Sequence, residues 1–269
     1  MNVYRFEFGR QLRGFLVGEA VLLGVAVLLM VGAYPIYRDA KEAVEQVLEG
    51  FPPQFAALFG VSDGMFSFGG FYRFCSLYFM LIVAIMSCAW GLSVFGRERR
   101  TKSSDFLFVM PIGRMRLYAE KLAVCLTMVA ATGALFMAVM AMIYRGYGDD
   151  PTAASIPLPR ILLAACSLVG VQMVFLAFGV LIAVLSRRAI GVSGTSTMVG
   201  ILGFVLVSLP EMTGEDGWRL VSPFTWFNVD EALNHGRYEV GYSMLAMIVA
   251  AVCLAGAAAV YTHADVRNR

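Results

Sequence analysis

Long apolar runs separated by short polar stretches set the plan of this chain. Six stretches are apolar almost throughout: Phe15 to Ile36, Phe71 to Phe95, Leu117 to Tyr144, Ile161 to Leu185, Ile190 to Leu209 and Val240 to Tyr261. Each reaches the roughly 20 residues that a helix needs to cross about 30 Å of hydrocarbon. None alternates polar and apolar positions as a barrel strand does, and Leu, Ala, Val and Met dominate them. The pattern predicts an all-α integral membrane bundle of six transmembrane helices. No internal repeat or low-complexity linker divides residues 1–269, which read as a single transmembrane domain. Arg13 before the first run and Val31-Gly-Ala33 near its end resemble a cleavable signal. The run is longer than the usual signal core of about 7–15 residues, so a retained first span is expected.

The polar stretches carry patterns of their own. Tyr4, Phe8, Leu12 and Phe15 share one side of a helix, with Arg10 and Arg13 opposite, which predicts an amphipathic interfacial helix over residues 1–14. A short tail with a few hydrophobes is the alternative. In the loop 37–70, Ala40, Val44, Val47 and Leu48 share a face, Gly50 stops that helix, and Pro52-Pro53 opens a second bearing Phe55, Leu58 and Phe59. This helical loop is a packing element or a lid. The loop 96–121 sets seven basic residues around an apolar island, Phe106 to Met110, which follows Ser103, Ser104 and Asp105 and ends at Pro111. Ser or Asp caps a short helix and proline cannot continue it, so one exposed apolar helix is expected there. Such a helix needs a partner surface or rests on the bilayer. The loop 210–239 is acidic and holds Trp218, Pro223, Phe224, Trp226 and Phe227, a cluster suited to interface anchoring or to a re-entrant turn.

Composition agrees with a lipid solvent: 59% of residues are apolar and 15% charged, against about 45–50% and 25% in soluble domains. Disorder and a basic nucleic-acid binder are excluded. Basic residues gather on the cytoplasmic side of membrane proteins. With both termini inside, fourteen of the 21 Lys and Arg lie inside and thirteen of the 19 acids lie outside. That asymmetry predicts an even number of spans in the plasma membrane, with cytoplasmic N- and C-termini. All five cysteines, Cys75, Cys88, Cys125, Cys166 and Cys253, fall within spans, where apolar packing is their default role.

A search for chemistry finds no catalytic set. The two histidines, His235 and His263, fall on opposite sides of the predicted membrane. There is no HExxH, no Cys pair with metal spacing and no Gly-x4-Gly-Lys-[Ser/Thr] phosphate loop, and Gly191-Val-Ser-Gly-Thr195 misses the last Gly of a nucleophile elbow. The chain is expected to be no enzyme, with no metal ligands. Glu19 is the one acid assigned to a span, Glu120 being counted with the inner loop that ends at Lys121. Its readings are pairing with an arginine at the inner interface, or a part in gating or proton movement. Gln172, mid-span, suits an inter-helix hydrogen bond or a substrate contact. Gly191, Gly194, Gly200 and Gly203, with Ser193, Ser196 and Thr197, give the fifth span a small-residue surface for close packing or a subunit interface. Phe71-Tyr-Arg-Phe74 and Tyr78-Phe79 line a cavity or belong to the aromatic belt.

The segment Glu98 to Lys121, ERRTKSSDFLFVMPIGRMRLYAEK, resembles the loop between the second and third spans of type-2 ABC-type exporter permeases. In that family a Glu after the second span precedes a short Leu-rich helix, then Pro, Ser-Arg, and a Lys opening the third span. These features fall on Glu98, Leu107, Pro111, Arg114 and Lys121; Gly113 stands where Ser is common, and Lys102-Ser103 where a Gly is common. The amphipathic start, the six spans and Ser222-Pro-Phe224 before the last span are also similar to this family. The resemblance implies a permease subunit whose coupling helix, Ser103, Ser104, Asp105, Phe106 and Leu107 onward, docks on a separate ABC ATPase that holds the ATP and Mg. This chain itself would bind no cofactor. The resemblance further implies a dimer with a second permease copy or paralogue, exporting an amphipathic or lipophilic substrate along the second and fifth helices. Candidate pathway residues are then Phe79, Met86, Gln172, Met198 and Leu202. Two other classes stand beside it: an ion-gradient-driven transporter or channel, and a non-transporting membrane sensor or membrane enzyme.

Overall fold

The computed structural model describes residues 3–39, 66–100, 113–148, 150–186, 189–208 and 216–263, and every regular element among them is helical. They are α1 (Val3–Val27), a π-helical turn (Leu28–Ala33), α2 (Tyr34–Asp39), α3 (Phe68–Arg100), α4 (Arg114–Gly146), α5 (Pro151–Ala154), α6 (Leu158–Leu185), α7 (Val192–Val205), α8 (Val229–His235) and α9 (Val240–His263). Short 3-10 turns at Leu206–Ser208 and Asp216–Leu220 lie between α7 and α8. Among the described residues five helices are long and apolar enough to cross a membrane. The chain is a multi-pass helical membrane protein.

The first rod runs without interruption from Val3 to Asp39, 37 residues. At 1.5 Å per residue that is about 55 Å, so it must tilt or project beyond the hydrocarbon. Residues 1–14 therefore do not form a separate helix over their described part. No proline lies between Arg10 and Gly18 to stop the helix, and one buried stripe, Val3, Glu7, Gln11, Phe15, Glu19, Leu22 and Ala26, continues from tail into span. The stripe is also rotated one residue from the Tyr4–Phe8–Leu12 face expected from hydropathy, and Leu12 is exposed.

Lipid is as apolar as leucine, so helices in a bilayer associate through close packing rather than through exclusion of water. The tightest packing is between α3 and α6, where backbones touch. A Cβ at Gly91 would lie 2.7–2.9 Å from Val180 N, Gly179 C and Leu176 O, and one at Gly179 would strike the Cys88 carbonyl. Glycine at both positions is what permits the crossing. α6 is the most enclosed of the five long helices and α9 the least. α1 packs on α4 and α3, α7 on α3, and α8 and α9 on α6.

The fifth apolar run departs from expectation. Its α-helix is only 14 residues, Val192–Val205, and tightens into a 3-10 turn. The aromatic loop that follows folds inward. Phe224 meets Phe175 at 5.1 Å, Trp226 Nε1 donates to Leu220 O at 3.3 Å, and Ser222 Oγ donates to Gly203 O at 2.9 Å. Phe224, Trp226 and Phe227 are thus bundle packing, while Trp218 is exposed. α8 is closed by Asn228, whose side chain accepts from Asp230 N–H, and by Gly236 at φ 66°, where a side chain would be strained.

Candidate functional site

At one end of the bundle, α3 stops and α4 starts, bracketing residues 101–112. The base of this bracket is unusually polar for a buried position. Arg97 on α3 is ion-paired with Glu7 on α1, and Gln11 Nε2 donates to Ser93 Oγ at 2.7 Å one turn deeper. Lys121 on α4 is 1% exposed. Its ammonium donates to Val94 O at 3.2 Å and stands 5.6 Å from the Phe95 ring and 5.8 Å from the Tyr261 ring. A cation with a carbonyl partner between aromatic faces is well placed at such depth. Tyr118 Oη donates to Leu254 O at 2.8 Å, and Arg114 Nη1 donates to Thr262 O at 3.2 Å. Both ends of the bracket are thereby fastened, α3 to α1 and α4 to α9.

Deeper, Thr132 Oγ1 on α4 donates to Glu19 Oε1. Glu19 is 4% exposed and its Oε2 has no hydrogen-bond partner. The arginine partner expected from its nearness to Gly14 is not what it meets. α1 and α4 cross closely enough here for the carboxyl to turn into the bundle. The five candidate pathway residues do not share one surface. Phe79 is buried against Phe136 at 5.4 Å and Tyr72 at 6.3 Å. Gln172 is fully buried, with both amide atoms unpartnered. Met86 lies against Gly18. Met198 and Leu202, 63% and 52% exposed, face outward with Ser193, Gly194, Thr197 and Ile201 around an open apolar groove of about 600 Å³.

No family model and no curated protein matches this chain. Its functional reading therefore rests on its own residues. Of the coupling residues named from sequence, Ser103, Ser104, Asp105, Phe106, Leu107 and Pro111 lie outside the described residues. Glu98 lies in the last turn of α3. Arg114 and Lys121 are described, and both bind main-chain carbonyls rather than offering free charge. Among the described residues no three His, Cys, Asp or Glu side chains are grouped to hold a metal ion.

The opposite end carries a polar cluster that sequence reading missed. Asp150, between α4 and α5, accepts from Thr152 N–H at 2.9 Å, Thr152 Oγ1 at 2.7 Å, Tyr34 Oη at 2.9 Å and Arg38 Nη1 at 3.3 Å. Burial would raise its pKa, but these donors outweigh burial and hold the carboxyl at about 2. Nearby, Arg73 Nη1 meets Asp230 Oδ1 at 3.2 Å on the wall of a 530 Å³ cavity between α3, α5 and α8. Glu239 resists its own burial in the same way and is held below the usual range by Arg219 at 2.7 Å and Asn228 at 3.2 Å. The available signal for Asp150 was local: Asp-Pro-Thr is an N-cap followed by proline at the first helical position.

Proposed function

We propose that this chain is the membrane-spanning permease subunit of an ATP-driven ABC exporter. The observation that carries the reading is the bracket between α3 and α4. A basic loop with the apolar island Phe106 to Met110 leaves two long helices whose adjoining ends are each tied to a further helix by buried polar contacts. Force applied to that loop by a partner would pass into α1 through Glu7 and Gln11 and into α9 through Tyr118 and Arg114. A separate ATPase, holding the ATP and Mg, would supply the force by closing on nucleotide. Coupling requires that the closed state favour one bundle geometry over the other.

The remaining parts follow from this reading. The basic loop lies in the cytoplasm with both termini, in the cell membrane, by the distribution of Lys and Arg. α7 and its 3-10 turn, Val192 to Ser208, together rise about 27 Å, close to one hydrocarbon thickness, and serve as the sixth crossing. A second permease copy or paralogue completes the pathway, and the exposed Met198–Leu202 face of α7 suits that contact. An amphipathic or lipophilic substrate, such as a peptide, drug or lipid, suits the apolar faces.

The test is co-purification with a cognate ABC ATPase subunit, for which a phosphate-loop ATPase in a neighbouring reading frame would be the candidate. Phe106→Asp or Leu107→Asp is expected to abolish the complex while the permease still inserts, and Glu98→Ala to reduce transport more than insertion. An intact complex in both loop variants, or protease access to Phe106 from outside the cell, would sink the reading. One observation favours a second reading, an ion-gradient-driven transporter: Glu19 is buried with Thr132 as its hydrogen-bond partner, a costly placement inside a membrane. Uptake driven by a proton gradient in liposomes lacking any ATPase would support that alternative.

A further inference from the structure

The first rod changes pitch before its Asp150 end. From Leu28 to Ala33 the helix widens to a π-helix, and Tyr34 N–H reaches back five residues to Leu29 O. The cause sits at Pro35. In an α-helix its ring would collide with the carbonyl of Val31, and it has no N–H to donate. Widening the turn by one residue relieves the collision. In the widened register, the donor that follows Tyr34 N–H would be at Pro35 and its acceptor would be Met30 O. That bond cannot form, and a carbonyl left bare at such a place is costly. Tyr147, just past the end of α4, supplies the replacement: its hydroxyl donates to Met30 O at 2.9 Å.

The two sides of this turn are fastened to different things. Before it, α1 is held by Glu7, Gln11 and Glu19 to α3 and α4. After it, Tyr34 and Arg38 of α2 are held by Asp150. Tyr34 also meets Tyr147 edge-on at 5.3 Å and Phe68 at 5.7 Å. A π-turn inside an otherwise regular helix marks a place where the chain can change register, and the turn here lies between two anchored pieces.

We propose that Leu28 to Pro35 is a hinge between the two halves of the first rod, and that the Tyr147 hydroxyl on Met30 O is the latch that holds it. Release of the latch lets the turn change pitch between its two anchored ends, α2 staying held at Asp150 and the α3–α6 pair staying fixed. The proposal stands apart from the transport reading, because its test uses no transport. Hydrogen exchange is measured on the full chain in lipid nanodiscs. In Tyr147→Phe, exchange over residues 28–39 is expected to rise about ten-fold, the loss of one buried hydrogen bond, with α6 unchanged. Unchanged exchange over 28–39, or an equal rise in α6, would overturn the latch. Pro35→Ala restores the missing N–H, so adding Tyr147→Phe to it should change exchange by no more than about two-fold. A ten-fold effect in that background also overturns it. Should Tyr147→Phe alone fail to yield monodisperse protein, the double variant is expected to recover it, and failure to do so counts against the proposal.

Discussion

Replacing Asp150 with Asn keeps the shape of the side chain and removes its charge. In the native protein Oδ1 accepts the Thr152 N–H and hydroxyl, and Oδ2 accepts the Tyr34 hydroxyl and the Arg38 guanidinium. An asparagine satisfies the first pair through its carbonyl oxygen and turns an NH2 toward the second, where it meets donors. The native carboxyl is held at about 2 against an ordinary 3.8. That depression corresponds to about 2 kcal/mol of folding stability. The sign follows from proton binding. The folded protein takes up the proton less readily than the unfolded chain, so the stabilisation is complete above the ordinary value and fades as pH falls from about 4 to about 2. For a chain of this size, about 2–4 °C per kcal/mol gives a drop of about 4–8 °C in the unfolding midpoint of Asp150→Asn at neutral pH. Thermal unfolding of purified protein in detergent at neutral and at acid pH measures both quantities. An unchanged midpoint at neutral pH, or a gap between native and variant that stays constant down to about pH 3, would refute the reasoning.

Gly179→Ala is expected to prevent accumulation of folded protein, because its Cβ strikes the Cys88 carbonyl of a backbone that cannot retreat, whereas Gly194→Ala, with open space around it, should be tolerated; fluorescence-detected gel filtration separates the two outcomes. Arg97→Met should destabilise by about 3 kcal/mol because it leaves the Glu7 carboxylate buried without its ion-pair partner, and adding Glu7→Gln should return part of that loss. Additive losses in a double-mutant cycle would mean that the two side chains do not act as a pair.

Hydropathy made the bundle legible, because each long helix must present apolar residues to lipid whatever else it does. It was least informative about facing. α1 buries Glu7, Gln11 and Glu19 on the same stripe as Phe15 and Leu22, since those polar groups find partners inside and lipid accepts the leucines outside. A soluble-protein intuition, with apolar residues inward, rotates this helix the wrong way. Lys121 misled for a related reason. A lysine at the edge of an apolar run marks a boundary in the sequence, yet its long stem lets the ammonium reach Val94 O from a fully buried position. Pro35 was the signal for the π-turn, visible as a proline inside a helical run, but the compensating hydroxyl of Tyr147 comes from a residue more than a hundred positions away. The same long range hides the pairing of Asp150 with Tyr34, although the N-cap at Asp150 is itself a local pattern. The fifth span illustrates the opposite limit: an apolar run of span length need not be one α-helix, since here the α-helix starts only after Gly191 and gives way to a 3-10 turn at Leu206.

The contact between Gly91 and Gly179 divides the protein into a stator and its attachments. Two rods locked main chain to main chain cannot slide without climbing over one another, since carbonyl and amide atoms have no rotamer through which to yield. Any change in the shape of the bundle must then be taken up by the outer members, α1 with its π-turn, the short α7 and the sparsely covered α9, each riding on a spine that keeps its own shape.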